Sequence, residues 1–219
     1  MSSNKGKTLP TEPLPREEMR ALISAPSRRA LSGVRNRALI AVLSGAGLRV
    51  QEALDLMPHD VDLKTGEVRV RQGKGKKARV VGLDREGTEI VGRWLECRRR
   101  LGLTGRQPLF CTISAGRVHK RGRPLLQRDV RSALQRYKKR AGIERRVHPH
   151  GLRATHGVEL LEAGFDLRDI QQQFGHSRLS TTAGYIDRIA PRDRVQRVHD
   201  RRRGLLGQPM PADAGDDEP

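Results

Sequence analysis

Residues 175–185 read GHSRLSTTAGY and end on one of only two tyrosines in a chain of 219 residues; the other is Tyr137. A phenol so scarce, nine residues after His176 and in a chain holding 44 Lys and Arg, is a candidate nucleophile. Its ordinary pKa of about 10 leaves roughly 0.1% ionised at neutral pH, so it needs cations nearby to lower that value and aim the oxygen. The chain offers them. Arg49 lies in GLRVQEALDL beside a glycine-bounded helix start, and Lys74 sits at the tip of the basic loop GKGKK. His150 and Arg153 form His-x-x-Arg, a spacing that puts both on one helical face. Such a set suits metal-free attack on a phosphodiester. Guanidinium groups donate paired hydrogen bonds to the non-bridging oxygens and stabilise charge as it builds on phosphorus. A long lysine can protonate the departing sugar oxygen.

Taken singly, each residue has a plainer reading. An arginine among many is a solvated charge, a histidine after Pro149 caps a helix, and Tyr185 is a half-buried core residue. The order of the whole set is what carries weight. Two other chemistries are excluded. Gly6-Lys7-Thr8 resembles the end of a phosphate-binding loop but has no glycine five positions earlier, and GKGKK has no Ser or Thr in the required place. In HPHGLRATH, His148, His150 and His156 could start a zinc site. No acid stands within the stretch, however, and Arg145, Arg146 and Arg153 would repel a cation. We expect no metal and no cofactor.

These residues need elements to place them. Pro15 opens a helix with Glu17 and Glu18 in its first turn, where the helix dipole favours acids. A second helix spans about 33–45 and is broken by Gly45 and Gly47; a short one follows Leu48 and is stopped by Pro58. The alternation in EVRVRQ and ARVVGL, on either side of GKGKK, predicts a β-hairpin. Helices are predicted at about 85–101, 127–141, 151–163, 166–174, 178–186 and 191–205, with a short apolar strand at 108–112. The expected fold class is mainly α with a small antiparallel β-sheet (α+β).

Composition agrees. Aromatics make up 3% of the chain, so the core must be aliphatic, which favours helices. A formal charge of +19 adds nothing to folding and points to a polyanionic partner. Neither a spanning segment nor a signal peptide is present, and Cys97 and Cys111 form no CxxC pair, which reads as a cytoplasmic protein with reduced thiols.

Four segments, GLRVQEALDL, QGKGKKARVV, HPHGLR and GHSRLSTTAGY, together resemble the catalytic domain of the tyrosine recombinases, the phage integrase family. The resemblance covers about 15–200. It implies that Tyr185 is the nucleophile, forming a 3′-phosphotyrosyl link and freeing a 5′-hydroxyl. Arg49 and Arg153 would clamp the scissile phosphate, Lys74 would be the general acid, His150 would assist proton transfer, and His176 would hydrogen-bond the phosphate. Glu52 matches a supporting acid. Ala154 and His156 depart from the family pattern, at positions outside the catalytic set.

The implied activity is site-specific recombination of DNA through a Holliday junction. The implied partners are double-stranded DNA with specific sites and three further copies of the chain, the protein being monomeric when free, in a bacterium, phage or plasmid host. Residues 1–13 read as a flexible leader, 14–207 as the catalytic domain and 208–219 as a disordered acidic tail. Residues 191–206 read as a C-terminal helix exchanged between protomers. Arg49 comes too early for an N-terminal DNA-clamping domain, similar to fimbrial-type inversion recombinases, so an accessory protein or cooperative clustering would have to supply the missing grip. The alternatives are an accessory DNA-binding protein without catalysis and a DNA-relaxing enzyme of the type IB topoisomerase class.

Overall fold

Pro15 precedes the first helix, α1 (Arg16–Ser24), and Glu17 and Glu18 occupy its first turn. The computed structural model describes residues 12–71, 78–114 and 121–175. All of them belong to the first of two units of the chain, Met1–Ile189; the second, Ala190–Pro219, falls outside them. The predicted helices at 178–186 and 191–205, the exchanged helix at 191–206, the acidic tail and residues 1–11 of the leader also lie outside the described residues.

The next helix, α2 (Leu31–Gly45), is apolar all round over Ala38–Leu43, and every residue there is buried. A helix of that kind belongs inside a core. Here it packs against α1, the short α3 (Val50–Leu54), α4 (Arg85–Arg100) and α6 (Pro149–Glu162). Between α3 and α4 runs the hairpin of β1 (Glu67–Val70) and β2 (Arg79–Gly82), antiparallel, with Val68 opposite Val81 and Val70 opposite Arg79. Val68, Val70 and Val81 are buried, while Val80 faces outward. The remaining helices are α5 (Gln127–Arg140) and α7 (Leu167–Phe174). The fold is therefore mainly α with a small two-stranded antiparallel sheet.

Two boundaries move for clear reasons. α3 ends at Leu54, ahead of Pro58, which instead opens a single 3-10 turn, Pro58–Asp60. α6 starts two residues early because His148 caps it and Pro149 takes its first position, where the missing N–H costs nothing.

The strand expected at 108–112 does not form; only an isolated bridge joins Cys111 to Pro124. Its backbone is engaged elsewhere. The buried Trp94 donates its indole N–H to the Leu109 carbonyl at 2.8 Å, and the buried Arg98 donates to the carbonyls of Thr104, Gln107, Pro108 and Leu109. The Leu109 N–H donates to the Leu56 carbonyl at 2.6 Å. Arg98 thereby acquires the acceptors that a buried cation requires. No described helix is long and apolar enough to cross a membrane.

Candidate active site

Gly47 ends the turn between α2 and α3 at φ +59°, and a side chain there would strike the His156 and Phe174 rings. Its carbonyl accepts a 2.6 Å hydrogen bond from Arg153 Nη1. Two residues on, Arg49 caps α3, and Glu52 reaches back to accept the Arg49 backbone N–H at 3.0 Å. One turn of helix thus sets Arg49 and Glu52 side by side.

Glu52 is the hub of the arrangement. Its buried carboxylate accepts from Arg49 Nη1 at 2.7 Å and from Arg79 Nη1 and Nη2 at 3.1 and 2.7 Å, and Arg153 Nη1 stands 3.9 Å away. Burial by itself would raise the Glu52 carboxyl above its ordinary value. The hydrogen bonds from Arg79 and Arg49, with the Arg79 charge, outweigh it and hold the group at about 2. At neutral pH this acid is ionised and ties the Arg49 and Arg79 guanidinium groups together, with Arg153 beside them.

The end of α7 supplies the second anchor. Arg79 Nε donates to the Gln173 carbonyl at 3.1 Å, and Arg153 Nη2 donates to the Phe174 carbonyl at 2.6 Å. The Arg153 guanidinium also lies over the Phe174 ring, 4.2 Å from its centre. Cations are favoured at a helix C-terminus, where the terminal carbonyls lack helical donors. α7 stops at Gly175, which adopts φ +59°.

Arg49, His150 and Arg153 line one open cleft of about 650 Å³, together with Arg131, Arg146 and His148. Among the described residues, no Asp or Glu lines it. Desolvation first, then the charges of Arg153 and Arg49, push the His150 imidazole below its ordinary value, which favours the neutral, proton-accepting form. His148 serves the backbone instead, its Nδ1 accepting the Gly151 N–H at 3.2 Å as the cap of α6. Of the two histidines that flank Pro149, the one spaced three residues from Arg153 is therefore the one that does not cap the helix.

Residues 12–190 match the phage integrase family. The chain belongs to that family. It is 32% identical over 185 residues to tyrosine recombinase XerC of Syntrophus aciditrophicus (strain SB), covering 84% of this chain and 58% of that protein. It is 39% identical over 174 residues to tyrosine recombinase XerA of Thermococcus kodakarensis, covering 78% and 56%. Among solved structures, the XerH site-specific recombinase bound to a palindromic difH substrate, in a post-cleavage complex, superposes with a TM-score of 0.71 at 26% identity; the match covers 90% of this chain and 56% of that one. The chain spans less than two thirds of the length of these relatives.

The integrase-family match spans Arg49, Glu52, Lys74, His150, Arg153, His176 and Tyr185. Of these, the structure brings Arg49, Glu52, His150 and Arg153 together, while Lys74, His176 and Tyr185 lie outside the described residues. Arg79 was missed, although a signal existed. Alternation along β2 puts Arg79 on the same face as the buried Val81, and a charged residue on an inward face calls for a partner of opposite sign.

His156, one of the two departures from the integrase-family pattern, is buried with its ring 6.0 Å from that of Phe174. Burial, then the Arg153 charge, lowers it to about 4. The folded state keeps this imidazole neutral, whereas the unfolded chain protonates it near its ordinary 6.5. Its contribution is intact above pH 6.5 and is lost as pH falls to about 4, a cost of about 3 kcal/mol. His156→Leu is expected to flatten the decline in stability between pH 7 and pH 4.5, measured by urea unfolding at both. An unchanged decline would show that other groups cause it.

Proposed function

We propose that this protein is a site-specific DNA recombinase that cuts and rejoins strands through a 3′-phosphotyrosyl intermediate at Tyr185. The carrying observation is the convergence of Arg49, His150 and Arg153 on one cleft that no described carboxylate lines, with Glu52 behind them. In this reading Arg49 and Arg153 hold the scissile phosphate and stabilise the charge of the pentacoordinate transition state. His150 takes the phenol proton or relays it, Lys74 protonates the leaving 5′-oxygen, and His176 hydrogen-bonds a non-bridging oxygen. The phosphotyrosine conserves the bond energy, so rejoining requires neither ATP nor metal. The tyrosine recombinases among the relatives, and the DNA-bound XerH structure, support duplex DNA as the partner. Four copies on two sites, exchanging strands through a Holliday junction, complete the reading.

The test uses nicked duplexes from a randomised pool, since a nick lets the short cleaved strand diffuse away and traps the covalent complex. We expect an SDS-resistant adduct on a recurring sequence, unaffected by EDTA. DNA binding without any adduct would restore the accessory-protein reading. Cleavage abolished by EDTA would restore a metal, and relaxation of plasmids regardless of sequence would point to a topoisomerase.

A further inference from the structure

The cleft is larger than one phosphate requires, and Arg49, His150 and Arg153 account for only part of its lining. His148 and the helix face that carries Arg131 are fastened in place. Arg131 and Gln135 stand four residues apart on α5, hence on one face. Gln135 Nε2 donates to the Val147 carbonyl at 2.7 Å and so fastens that face to the segment carrying Arg146 and His148. His148 accepts the Gly151 N–H on Nδ1, so the proton of its neutral ring sits on Nε2, making that atom a donor. Among the described residues neither Arg131 nor Arg146 forms an ion pair, whereas their neighbours do: Arg128 pairs with Asp129, and Arg145 with Glu12 and Glu18. The His148 and His150 rings stand 6.3 Å apart, nearly parallel, so the two histidines face the same cleft side by side.

We propose that Arg131, Arg146 and His148 form a second phosphate subsite, which takes a DNA backbone phosphate neighbouring the scissile one. The inference rests on the recombinase reading above and extends it. Two phosphates held at a fixed spacing determine which linkage reaches Arg49 and Arg153, so this subsite sets the register of cleavage; phosphate contacts commonly serve that purpose.

Binding to duplex DNA as a function of salt tests the contact without requiring cleavage. Arg131→Ala with Arg146→Ala should lower the slope of log affinity against log salt by about 0.9, the value for one phosphate, because both arginines meet the same one. The accompanying loss of affinity near physiological salt should be about tenfold. His148→Asn keeps an N-cap acceptor and removes the distal donor; it should weaken binding while leaving the melting temperature in place. A neutral methylphosphonate next to the cleaved linkage should weaken binding by the wild type, and by the double variant hardly at all.

An unchanged salt slope in the double variant overturns the subsite. So do methylphosphonate losses that add fully to the mutational loss at each neighbouring phosphate. A reduced slope in a protein that forms no covalent adduct would retain the phosphate contact and reject the cleavage reading. An adduct with an unchanged slope would do the opposite.

Discussion

Tyr185→Phe is expected to leave no detectable covalent adduct on nicked duplex DNA. The substitution removes one oxygen and keeps the ring, so duplex binding should stay within about twofold of wild type, the range of a change that breaks no charged contact. The asymmetry follows from chemistry. In the proposed mechanism the phosphate is held by guanidinium groups, which the substitution does not touch, while the oxygen it removes is the one that would join to phosphorus and survive denaturation. The remaining tyrosine supplies an internal control. Tyr137 lies on α5, packed against the core, and its hydroxyl accepts a 2.8 Å hydrogen bond from Asn36 Nδ2. Tyr137→Phe should therefore keep the adduct. An adduct persisting in Tyr185→Phe would transfer the nucleophile to another residue and remove the basis of the proposed mechanism, even if the protein still recombined DNA.

The local features of this protein were readable from the chain because their causes are local. Pro15 and two acids announce α1, and valines at every second position announce β1. His150 and Arg153 share a face of α6 because three residues make nearly one helical turn. Glu52 was legible only through the family resemblance, as a supporting acid, and its partners were not. What escaped was the contact whose partners are far apart in sequence. Arg79 meets Glu52 across 27 positions, and the pairing exists only after β2 has folded against α3 and the end of α7. The false strand at 108–112 has a similar origin. Its apolar run was legible, but the demand of a buried Arg98 for carbonyls was not. Gly47 lies between the two cases. Its role as a helix breaker was visible, whereas the ring of His156 packed where a side chain would be was not.

The same long-range pairing makes Glu52→Gln a strongly destabilising change. The carboxylate is buried and receives Arg79, the Arg49 side chain and the Arg49 backbone N–H. Glutamine keeps the shape but offers one accepting oxygen and turns an NH2 group toward a guanidinium. Breaking a buried pair in this way costs about 3–5 kcal/mol. An independent route gives a similar size. The Glu52 carboxyl sits at about 2 when folded against an ordinary 4.5, which is worth about 3 kcal/mol at neutral pH. Because the folded value is depressed, this contribution is complete above pH 4.5 and disappears as pH falls toward 2. Most of this window lies below that of His156, which closes at about 4, so the two are separable in one titration. Urea unfolding at pH 7 should show the loss in Glu52→Gln, and the wild-type and variant curves should approach each other by pH 3. Adding Arg79→Met should recover part of the loss, since it removes one of the cations left unpaired. Cleavage should fall further than DNA binding, because Arg49 keeps its charge but loses the acid that aims it. A Glu52→Gln protein within about 1 kcal/mol of wild type at pH 7, with the same acid profile, would mean that the three arginines are held by the carbonyls of Gly47, Gln173 and Phe174 instead.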